Sequence, residues 1–263
     1  DATRNAPMAI DKTTRSAQSE ALEHNLNYLK LSFIREHLED FAKLVAEQHW
    51  DPITLLAKLL EGEAQRRQDR AIERRVRLAR FPVRKSLEQF QWNWPKKINR
   101  AQIQNLFRLA FLDDNTNVVF IGGVGLGKTH LATALGFAAC HQGHSVLFAS
   151  TVDVINTLAG AQATGRLKLE LRKYIRPRIL ILDEIGYLPI DKTGADLLFQ
   201  IISQRCERGS TILTTNRVYK KWPEIFNNDS TLTSAVLDRL LHHAETVTIE
   251  GKSFRMKDQI QES

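Results

Sequence analysis

A glycine-rich segment between a short apolar run and a helical pattern constrains this chain more than any other feature. Residues 117–121, NVVFI, lead directly into GGVGLGKT at 122–129, which fits the pattern GxxxxGK(S/T), and a helical pattern, HLATALGFAA, follows. Such a turn lets backbone amides surround a phosphate, and the helix start adds the positive end of its dipole. The segment predicts a P-loop, although a glycine turn without a ligand would have the same letters.

The P-loop pattern assigns roles to individual side chains. Lys128 is predicted to reach the β and γ phosphates of ATP, and Thr129 is predicted to bind Mg²⁺. The predicted nucleotide-binding residues are Gly122, Gly123, Val124, Gly125, Leu126, Gly127, Lys128, Thr129 and His130, together with Asp183.

Two carboxylates follow a second apolar run. The run RILIL at 178–182 ends in Asp183 and Glu184, with Asp183 lying 55 residues after Lys128. Parallel sheets bind ligands at the carboxyl ends of their strands. Asp183 is therefore predicted to hold Mg²⁺ through water and Glu184 to polarise the attacking water. Solvated acids at a strand end would look the same in isolation, but the distance from the P-loop favours the catalytic interpretation.

Two further side chains are candidate catalytic residues. Asn216 follows the apolar pattern ILTT and either orients the attacking water or contacts the γ-phosphate; an ordinary strand-end turn also favours Asn. Arg239 lies on an otherwise apolar helical pattern. It either supplies positive charge to a γ-phosphate bound by a neighbouring subunit or pairs with Asp238.

Short β-branched and apolar runs alternate with helical patterns after residue 117. The runs are NVVFIG, SVLFAS, RILILD, STILTTN and TVTIE. This alternation predicts an α/β fold with three layers, in which helices cover both faces of a parallel sheet.

The residues before the P-loop have a different, helical pattern. Asp51 and Pro52 form a helix-start signal, and an apolar stripe follows it. The stripe comprises Ile53, Leu56, Leu59 and Leu60, and an earlier stripe comprises Leu31, Ile34, Leu38, Phe41, Leu44 and Val45. We predict a flexible tail at 1–12, a small all-helical domain at 13–63, a basic helix with an aromatic linker at 64–100, and an ATPase domain at 101–263.

Positive charge is concentrated in one segment. Between Ala64 and Arg100 there are twelve basic and three acidic residues, a net charge of +9, whereas the whole chain carries +7. Arginine-rich segments bind phosphates well, so the segment predicts a DNA or RNA partner, although a solvated helix face has a similar composition. The candidate DNA-binding residues here are Arg66, Arg67, Arg70, Arg74, Arg75 and Arg77.

Composition excludes several other classes of protein. With 43% apolar residues, the chain is neither predominantly disordered nor of low complexity. No run approaches the roughly 18 apolar residues of a membrane span, and the first residues lack a signal-peptide pattern. Two cysteines cannot form a disulfide framework, and Cys140 with His141 and His144 lacks the rest of a zinc ligand set. We expect a cytoplasmic protein without a membrane partner.

The set of motifs resembles the AAA+ ATPases of the initiator and helicase-loader group, and within it the IstB-type helper ATPases of bacterial insertion sequences. The blocks that carry the resemblance are SLEQFQW, GGVGLGKTHLATALG, ILILDEIGYLPIDKTGADLLFQIISQR, STILTTN, KKWPEIF, SAVLDRLLHHA and GKSFR. The resemblance implies a P-loop AAA+ fold. It also implies that Asn216 is the sensor 1 residue, Arg239 the arginine finger and Arg255 a second nucleotide-sensing residue.

The resemblance further interprets the segment between the second strand and Asp183. Thr151 to Arg176 is expected to form two helices, similar to a DNA-facing wedge of initiator-type AAA+ proteins. The residues that would line the DNA side are Arg166, Lys168, Arg172 and Lys173. An exposed helix face would carry the same four charges.

The function implied is that of an ATP- and Mg²⁺-dependent regulator of transposition. It would self-associate into a ring or helical homo-oligomer on duplex DNA, remodel the target and stimulate a partner transposase. The alternative is a helicase loader of the DnaC type, which engages a hexameric helicase and prefers single strands. A non-catalytic nucleotide-binding scaffold is a third possibility, against which the presence of Glu184 argues.

Overall fold

Three helices begin the part of the chain that the computed structural model describes, residues 12–254. They are α1 (Lys12–Tyr28), α2 (Ser32–Gln48) and α3 (Pro52–Ala79). The chain divides into two compact units, and the division falls within α3, between Ala71 and Ile72. Apart from Lys12, the predicted flexible tail at 1–12 lies outside the described residues.

The first unit has a small core that contains only part of the apolar stripe of α3. Asp51 starts α3 as predicted, because its Oδ1 accepts hydrogen bonds from the amides of Ile53 at 2.8 Å and Thr54 at 3.0 Å. Leu59 is buried, whereas Ile53 and Leu56 are 74% and 52% exposed, so only part of the predicted apolar stripe lies in the core. The core of this unit also includes Leu26 and Ile34.

The reason lies in which α3 residues face the core. Leu55 packs against the core cluster one turn before Leu59. One turn further on, the buried Glu63 accepts a hydrogen bond from the amide of Phe33 at 2.7 Å at the start of α2. The buried face of α3 therefore follows the spacing Leu55–Leu59–Glu63, and the neighbouring Ile53, Leu56 and Leu60 are left outside it.

The second unit contains a five-stranded sheet in which every pairing is parallel. Its strands are β1 (Asn117–Gly122), β2 (Val146–Ser150), β3 (Ile179–Ile185), β4 (Ser210–Thr215) and β5 (Ala244–Ile249), in the order β2-β3-β4-β1-β5. All five predicted strands are confirmed. The order places β4 between the strand that precedes the P-loop and the strand that carries Asp183.

Helices follow most of the strands. They are α4 (Arg100–Leu106), α5 (Lys128–His141), α6 (Thr151–Ala163), α7 (Leu167–Ile175), α8 (Lys192–Arg205) and α9 (Ser230–Leu241), and short 3₁₀ turns occupy Ala110–Leu112 and Tyr219–Lys221. The segment from Thr151 to Arg176 forms two helices, as predicted. Within residues 12–254, no helix combines the length and apolar character that a membrane span requires.

Alternate residues of the strands enter two separate cores. On β1, Val118 and Phe120 pack in a core with α4 and α5. Val119 and Ile121 pack in the other core, with α6, α7, α8 and α9. Successive strand side chains point to opposite faces of a sheet, so this division places helices on both faces and confirms the three-layer α/β fold.

The aromatic linker after α3 belongs to the second unit. The helix ends at Ala79, within the segment predicted as a basic helix with an aromatic linker, and Phe90 of the linker is buried in the core that contains α5. The linker also pairs with the residue after β5, since Lys97 and Glu250 exchange two backbone hydrogen bonds of 3.1 and 3.0 Å. The helix α3 is continuous through residue 63, and the division between the two compact units lies within the segment 64–100, predicted as a basic helix with a linker.

A buried arginine joins the ends of three elements in the second unit. Arg205 is 1% exposed, and its Nε donates to Thr211 Oγ1 at 3.1 Å. Its other nitrogens donate to the main-chain carbonyls of Tyr174, Ile175, Pro177, Arg178 and Ser210. Burial lowers the pKa of Arg205 to about 10, so the group stays charged at neutral pH. It fixes the end of α7 to the beginnings of β3 and β4.

Candidate functional site

The glycine-rich loop connects β1 to α5 as the sequence predicted. Gly125 and Gly127 have φ angles of +73° and +85°, in the left-handed region that favours glycine. Gly127 also has no room for a side chain, because a Cβ there would lie 2.6 Å from Phe90 Cε2. Both glycines are therefore required by the shape of the loop.

The lysine of the loop lies beside the first turn of α5. Lys128 begins α5, and its Nζ donates a hydrogen bond to the Gly123 carbonyl at 2.7 Å. The free amides of a helix start and a lysine ammonium together form a site for an anion, above all a phosphate. The geometry can therefore hold a polyphosphate over the loop.

The two predicted metal-binding residues, Thr129 in the first turn of α5 and Asp183 on β3, are hydrogen-bonded to each other. Thr129 Oγ1 donates to both carboxylate oxygens of Asp183, at 2.9 Å and 3.2 Å, and Asp183 is 7% exposed. A carboxylate and a hydroxyl are hard oxygen ligands of the kind that Mg²⁺ uses alongside water and phosphate oxygens. The residues present thus fit Mg²⁺.

The next residue, Glu184, turns toward the cleft. Its φ is +60°, its side chain is exposed and its amide donates to Thr214 Oγ1 at 2.9 Å. Glu184 lines the same cleft as Lys128 and Asn216. A carboxylate beside a phosphate site can accept a proton from an attacking water.

A cleft of about 390 Å³ collects most of the predicted nucleotide-binding residues and two of the predicted catalytic residues. They are Val124, Gly125, Leu126, Gly127, Lys128, Thr129, His130, Glu184 and Asn216. Gly122 and Gly123 lie at the end of β1 and in the loop, and Asp183 lies behind Thr129. Arg255 is outside the described residues.

One wall of this cleft was not predicted from the sequence. The linker contributes side chains to it, and so does the segment after β5. The unpredicted wall residues are Lys85, Gln89, Phe90, Gln91, Trp94, Pro95 and Phe254. The aromatic composition of SLEQFQWNWP was visible in the sequence, but nothing in it indicated that the linker folds back against the P-loop.

One hydrogen bond joins this wall to the glycine-rich loop, and a second joins its two chain segments, the linker and the residues after β5. The Phe254 amide donates to the Gly125 carbonyl at 2.9 Å, and Trp94 Nε1 donates to the Lys252 carbonyl at 2.9 Å. The rings of Trp94 and Phe254 meet edge to face, with centroids 5.4 Å apart. The wall therefore presents aromatic side chains beside the P-loop, and the face of one such ring suits the stacking of a nucleotide base.

His130 connects the linker to the first turn of α5. Its Nε2 donates to the Ser86 carbonyl at 2.9 Å, and its ring lies edge-on to Phe90 with centroids 5.5 Å apart. Burial lowers the pKa of His130, and Lys85 lowers it further, against the opposing effect of the Ser86 hydrogen bond. The ring is therefore neutral at neutral pH, and its observed contacts hold the linker in place.

Arg239 lies apart from the cleft of its own chain. Its guanidinium donates to the Ala235 carbonyl at 3.1 Å and lies 5.0 Å from the centre of the Phe199 ring. These contacts differ from the Asp238 ion pair considered from the sequence. The guanidinium is half-buried on α9.

The four basic residues predicted to face DNA in the two-helix segment are all exposed. Lys168, Arg172 and Lys173 lie on α7, whose opposite face is buried through Leu171 and Tyr174. Lys173 pairs with Glu170 at 2.6 Å. The remaining one is Arg166, which precedes α7 and donates to Thr164 Oγ1 at 3.3 Å.

The arginines of α3 fall into two groups. Arg66 pairs with Glu36 at 2.6 Å, and Arg67 donates to the Leu29 carbonyl at 3.2 Å and pairs with Glu63 at 3.4 Å. Arg70, Arg74 and Arg77 are exposed, as Arg67 is, and Arg75 is half-buried. Within the described residues, the structure thus separates two arginines that have acidic partners from four that form no ion pair.

Comparison with protein families identifies one that covers most of the chain. A family profile described as IstB-like ATP binding protein matches residues 24–262. A relative from Bacillus thuringiensis subsp. berliner, named as an ATP-binding protein of insertion sequence IS232, is 42% identical over 237 residues, which are 90% of this chain and 94% of the relative. Another from Pseudomonas aeruginosa, named for insertion sequence IS21, is 40% identical over 237 residues, 90% of this chain and 89% of the relative.

Solved structures share the fold of the second unit. AMPPCP-bound DnaA from Aquifex aeolicus superposes with a TM-score of 0.54 at 21% identity, over 70% of this chain and 56% of that one. The DnaC helicase loader superposes with a TM-score of 0.52 at 22% identity, over 63% of this chain and 96% of that one. At these identities the likeness concerns the fold alone, and it confirms the predicted P-loop AAA+ architecture.

Proposed function

Because the chain belongs to the IstB-like ATP-binding protein family, we propose that it is an ATPase whose nucleotide state controls its assembly on duplex DNA and, through that assembly, the activity of a partner transposase. The observation that carries this proposal is one cleft in which a P-loop lysine, Glu184 and Asn216 meet, with Asp183 directly behind Thr129. The relatives named for insertion sequences support the transposition context. Two free cysteines fit a reducing compartment such as the cytoplasm.

Each of the cleft residues has a separate role in ATP hydrolysis. Lys128 and the loop amides bind and orient the β and γ phosphates. Thr129 and Asp183 hold Mg²⁺, which when bound neutralises charge on the phosphates. Glu184 accepts the proton of the attacking water, and Asn216 orients that water. Charge that develops on the γ-phosphate is stabilised by Arg239 of a second copy of the chain, which agrees with the distance of Arg239 from its own cleft.

The aromatic wall holds the base of the nucleotide. Replacing Trp94 by alanine removes the larger ring of the wall, so we expect ATP affinity to fall about tenfold, since stacking of a base on an aromatic ring is worth about 1–3 kcal/mol. Inorganic tripolyphosphate has no base, and its affinity should not change. Calorimetric titration of both ligands measures the difference.

Trp94→Phe is the matched control, because it keeps a stacking surface while it loses the indole hydrogen bond to the Lys252 carbonyl. Its ATP affinity should stay within about threefold of that of the unaltered protein. Equal losses of ATP and tripolyphosphate affinity in Trp94→Ala would show that the substitution damages the loop instead of a base site.

DNA binding depends on the exposed arginines that form no ion pair within the described residues. In Arg74→Ala/Arg77→Ala, we expect the slope of the logarithm of affinity against the logarithm of salt concentration to become shallower by about 2, because each lost phosphate contact removes roughly 0.9 from it. Fluorescence anisotropy with a labelled duplex, in the presence of ATP and at several salt concentrations, measures the slope.

The chain offers a matched control with the same change of charge. Arg66→Ala/Arg67→Ala removes two arginines that already contact Glu36, Glu63 and the Leu29 carbonyl. Its slope should change by less than about 1. If both double variants flattened the slope equally, the charge of the segment as a whole would matter and the position of each arginine would not.

The proposed function as a whole is tested by coupling between nucleotide and DNA. ATP hydrolysis should be faster with duplex DNA than without it, and assembly on duplex, followed by light scattering, should require ATP. Stimulation by single strands alone would favour the helicase-loader alternative. If assembly on duplex DNA proceeded equally well without nucleotide, the proposed control of assembly by the nucleotide state would be refuted.

A further inference from the structure

Glu184 lies in an irregularity of the sheet. On β3 and β4, Leu182 pairs with Leu213 but Ile185 pairs with Thr215, so Asp183 and Glu184 together face the single residue Thr214. This is a β-bulge, in which one extra residue bends the strand and redirects its side chains. The bulge allows Asp183 to face Thr129 while Glu184 turns into the cleft.

A single hydroxyl occupies the centre of the bulge. Thr214 Oγ1 donates its one proton to Asp183 Oδ1 at 2.5 Å and accepts the Glu184 amide proton at 2.9 Å. The donor and acceptor roles are fixed, because an amide can only donate and an ionised carboxylate can only accept. Thr214 lies in the floor of the cleft and is 1% exposed.

The backbone of Glu184 needs this support. Its φ of +60° lies in the left-handed region, which residues other than glycine, asparagine and aspartate seldom adopt. The bulge also removes the Glu184 amide from the regular ladder between strands, and a buried amide without a partner is unfavourable. The Thr214 hydroxyl supplies that partner.

We propose that Thr214 is a positioning residue for ATP hydrolysis, holding the bulge in the form that directs the Glu184 carboxylate at the γ-phosphate. Its hydroxyl is already committed to Asp183 and Glu184, so it acts through them and not on the nucleotide. This inference rests on the proposed ATPase function. It goes beyond that function by assigning to β4 the orientation of the general base.

The test compares three variants. Thr214→Val keeps the shape and loses both hydrogen bonds, whereas Thr214→Ser keeps the hydroxyl. Thr151→Val is the matched control, because Thr151 is 2% exposed and its hydroxyl donates to the Asp183 main-chain carbonyl at 2.8 Å instead of to the carboxylate. The measurements are ATP affinity, the single-turnover hydrolysis rate and site-resolved hydrogen exchange of the Glu184 amide without nucleotide.

We expect Thr214→Val to slow single-turnover hydrolysis between about tenfold and a hundredfold, with ATP affinity changed less than about threefold. Its Glu184 amide should exchange at least about tenfold faster. Thr214→Ser and Thr151→Val should resemble the unaltered protein in all three measurements. If Thr214→Val does not fold, Thr214→Ala removes the same two hydrogen bonds and takes its place.

The outcomes separate this inference from the proposed function. Unchanged hydrolysis in a folded Thr214→Val, or an equal loss in Thr151→Val, overturns the positioning role while the ATPase function stands. If the unaltered protein hydrolyses no ATP, the proposed function fails, and hydrogen exchange still decides the structural part of the inference. In that case, equal hydrogen-exchange rates of the Glu184 amide in all variants would overturn the inference that Thr214 holds the bulge.

Discussion

Replacing Lys128 by alanine is expected to weaken ATP binding at least a hundredfold and to abolish nucleotide-dependent assembly on DNA. The ammonium of Lys128 lies beside the loop, 2.7 Å from the Gly123 carbonyl oxygen. In the proposed site, the phosphates of ATP bind at this position. Charge-assisted hydrogen bonds to phosphate are among the strongest that a side chain makes. A hundredfold loss corresponds to about 2.7 kcal/mol of binding free energy. Calorimetric titration with ATP measures it directly.

A second lysine of the cleft provides the control. Lys85 lines the same cleft but belongs to the linker and not to the loop, so Lys85→Ala should change ATP affinity by less than about fivefold. Both variants lose one positive charge near the nucleotide, and only one loses a loop contact. Retained ATP affinity in Lys128→Ala would refute the assignment of the loop as the phosphate site.

Replacing Glu184 by glutamine is expected to slow ATP hydrolysis between about a hundredfold and a thousandfold, because general base catalysis contributes about this much. The amide keeps the size of the carboxylate but cannot accept the proton of the attacking water. ATP binding should persist, since Glu184 is not part of the loop. The ATP-bound protein should therefore accumulate on DNA, which phosphate release and the lifetime of the DNA-bound assembly measure together.

An exposed glutamate outside the cleft controls for the loss of charge. Glu224 pairs with Arg217 at 3.2 Å on the surface, and Glu224→Gln should leave the hydrolysis rate nearly unchanged. A Glu184→Gln variant that hydrolysed ATP at the rate of the unaltered protein would exclude Glu184 as the base, and the attacking water would need another proton acceptor.

The sequence predicted those parts of the molecule that depend on local patterns. The five strands follow from apolar runs between turns, and the sites at their carboxyl ends converge because parallel strands end at one edge of a sheet. Lys128, Thr129, Asp183 and Glu184 could therefore be assigned together before any coordinates. The two helices after β2 were predicted from the family resemblance.

Contacts between distant parts of the chain could not be predicted in this way. Trp94 bonds to Lys252, 158 positions later, and no local pattern indicates that pairing. Thr214 has the letters of an ordinary strand residue, and only the bulge opposite it gives its hydroxyl a role. Similarly, the sequence makes Arg66 and Arg74 equivalent, whereas the fold gives Arg66 an acidic partner and leaves Arg74 exposed.

The position of β4 has a consequence for how the protein is made. This strand lies between β1 and β3 in the sheet but follows both in the chain. While the ribosome is still adding residues before Ser210, the halves of the sheet that carry the loop and the paired acids have no strand to join them. Because domains generally fold as units during synthesis, the edge of the sheet that carries the loop and the acids closes only after β4 has left the exit tunnel. Until then, β1 and β3 keep unpaired backbone N–H and C=O groups on the sides that β4 later covers.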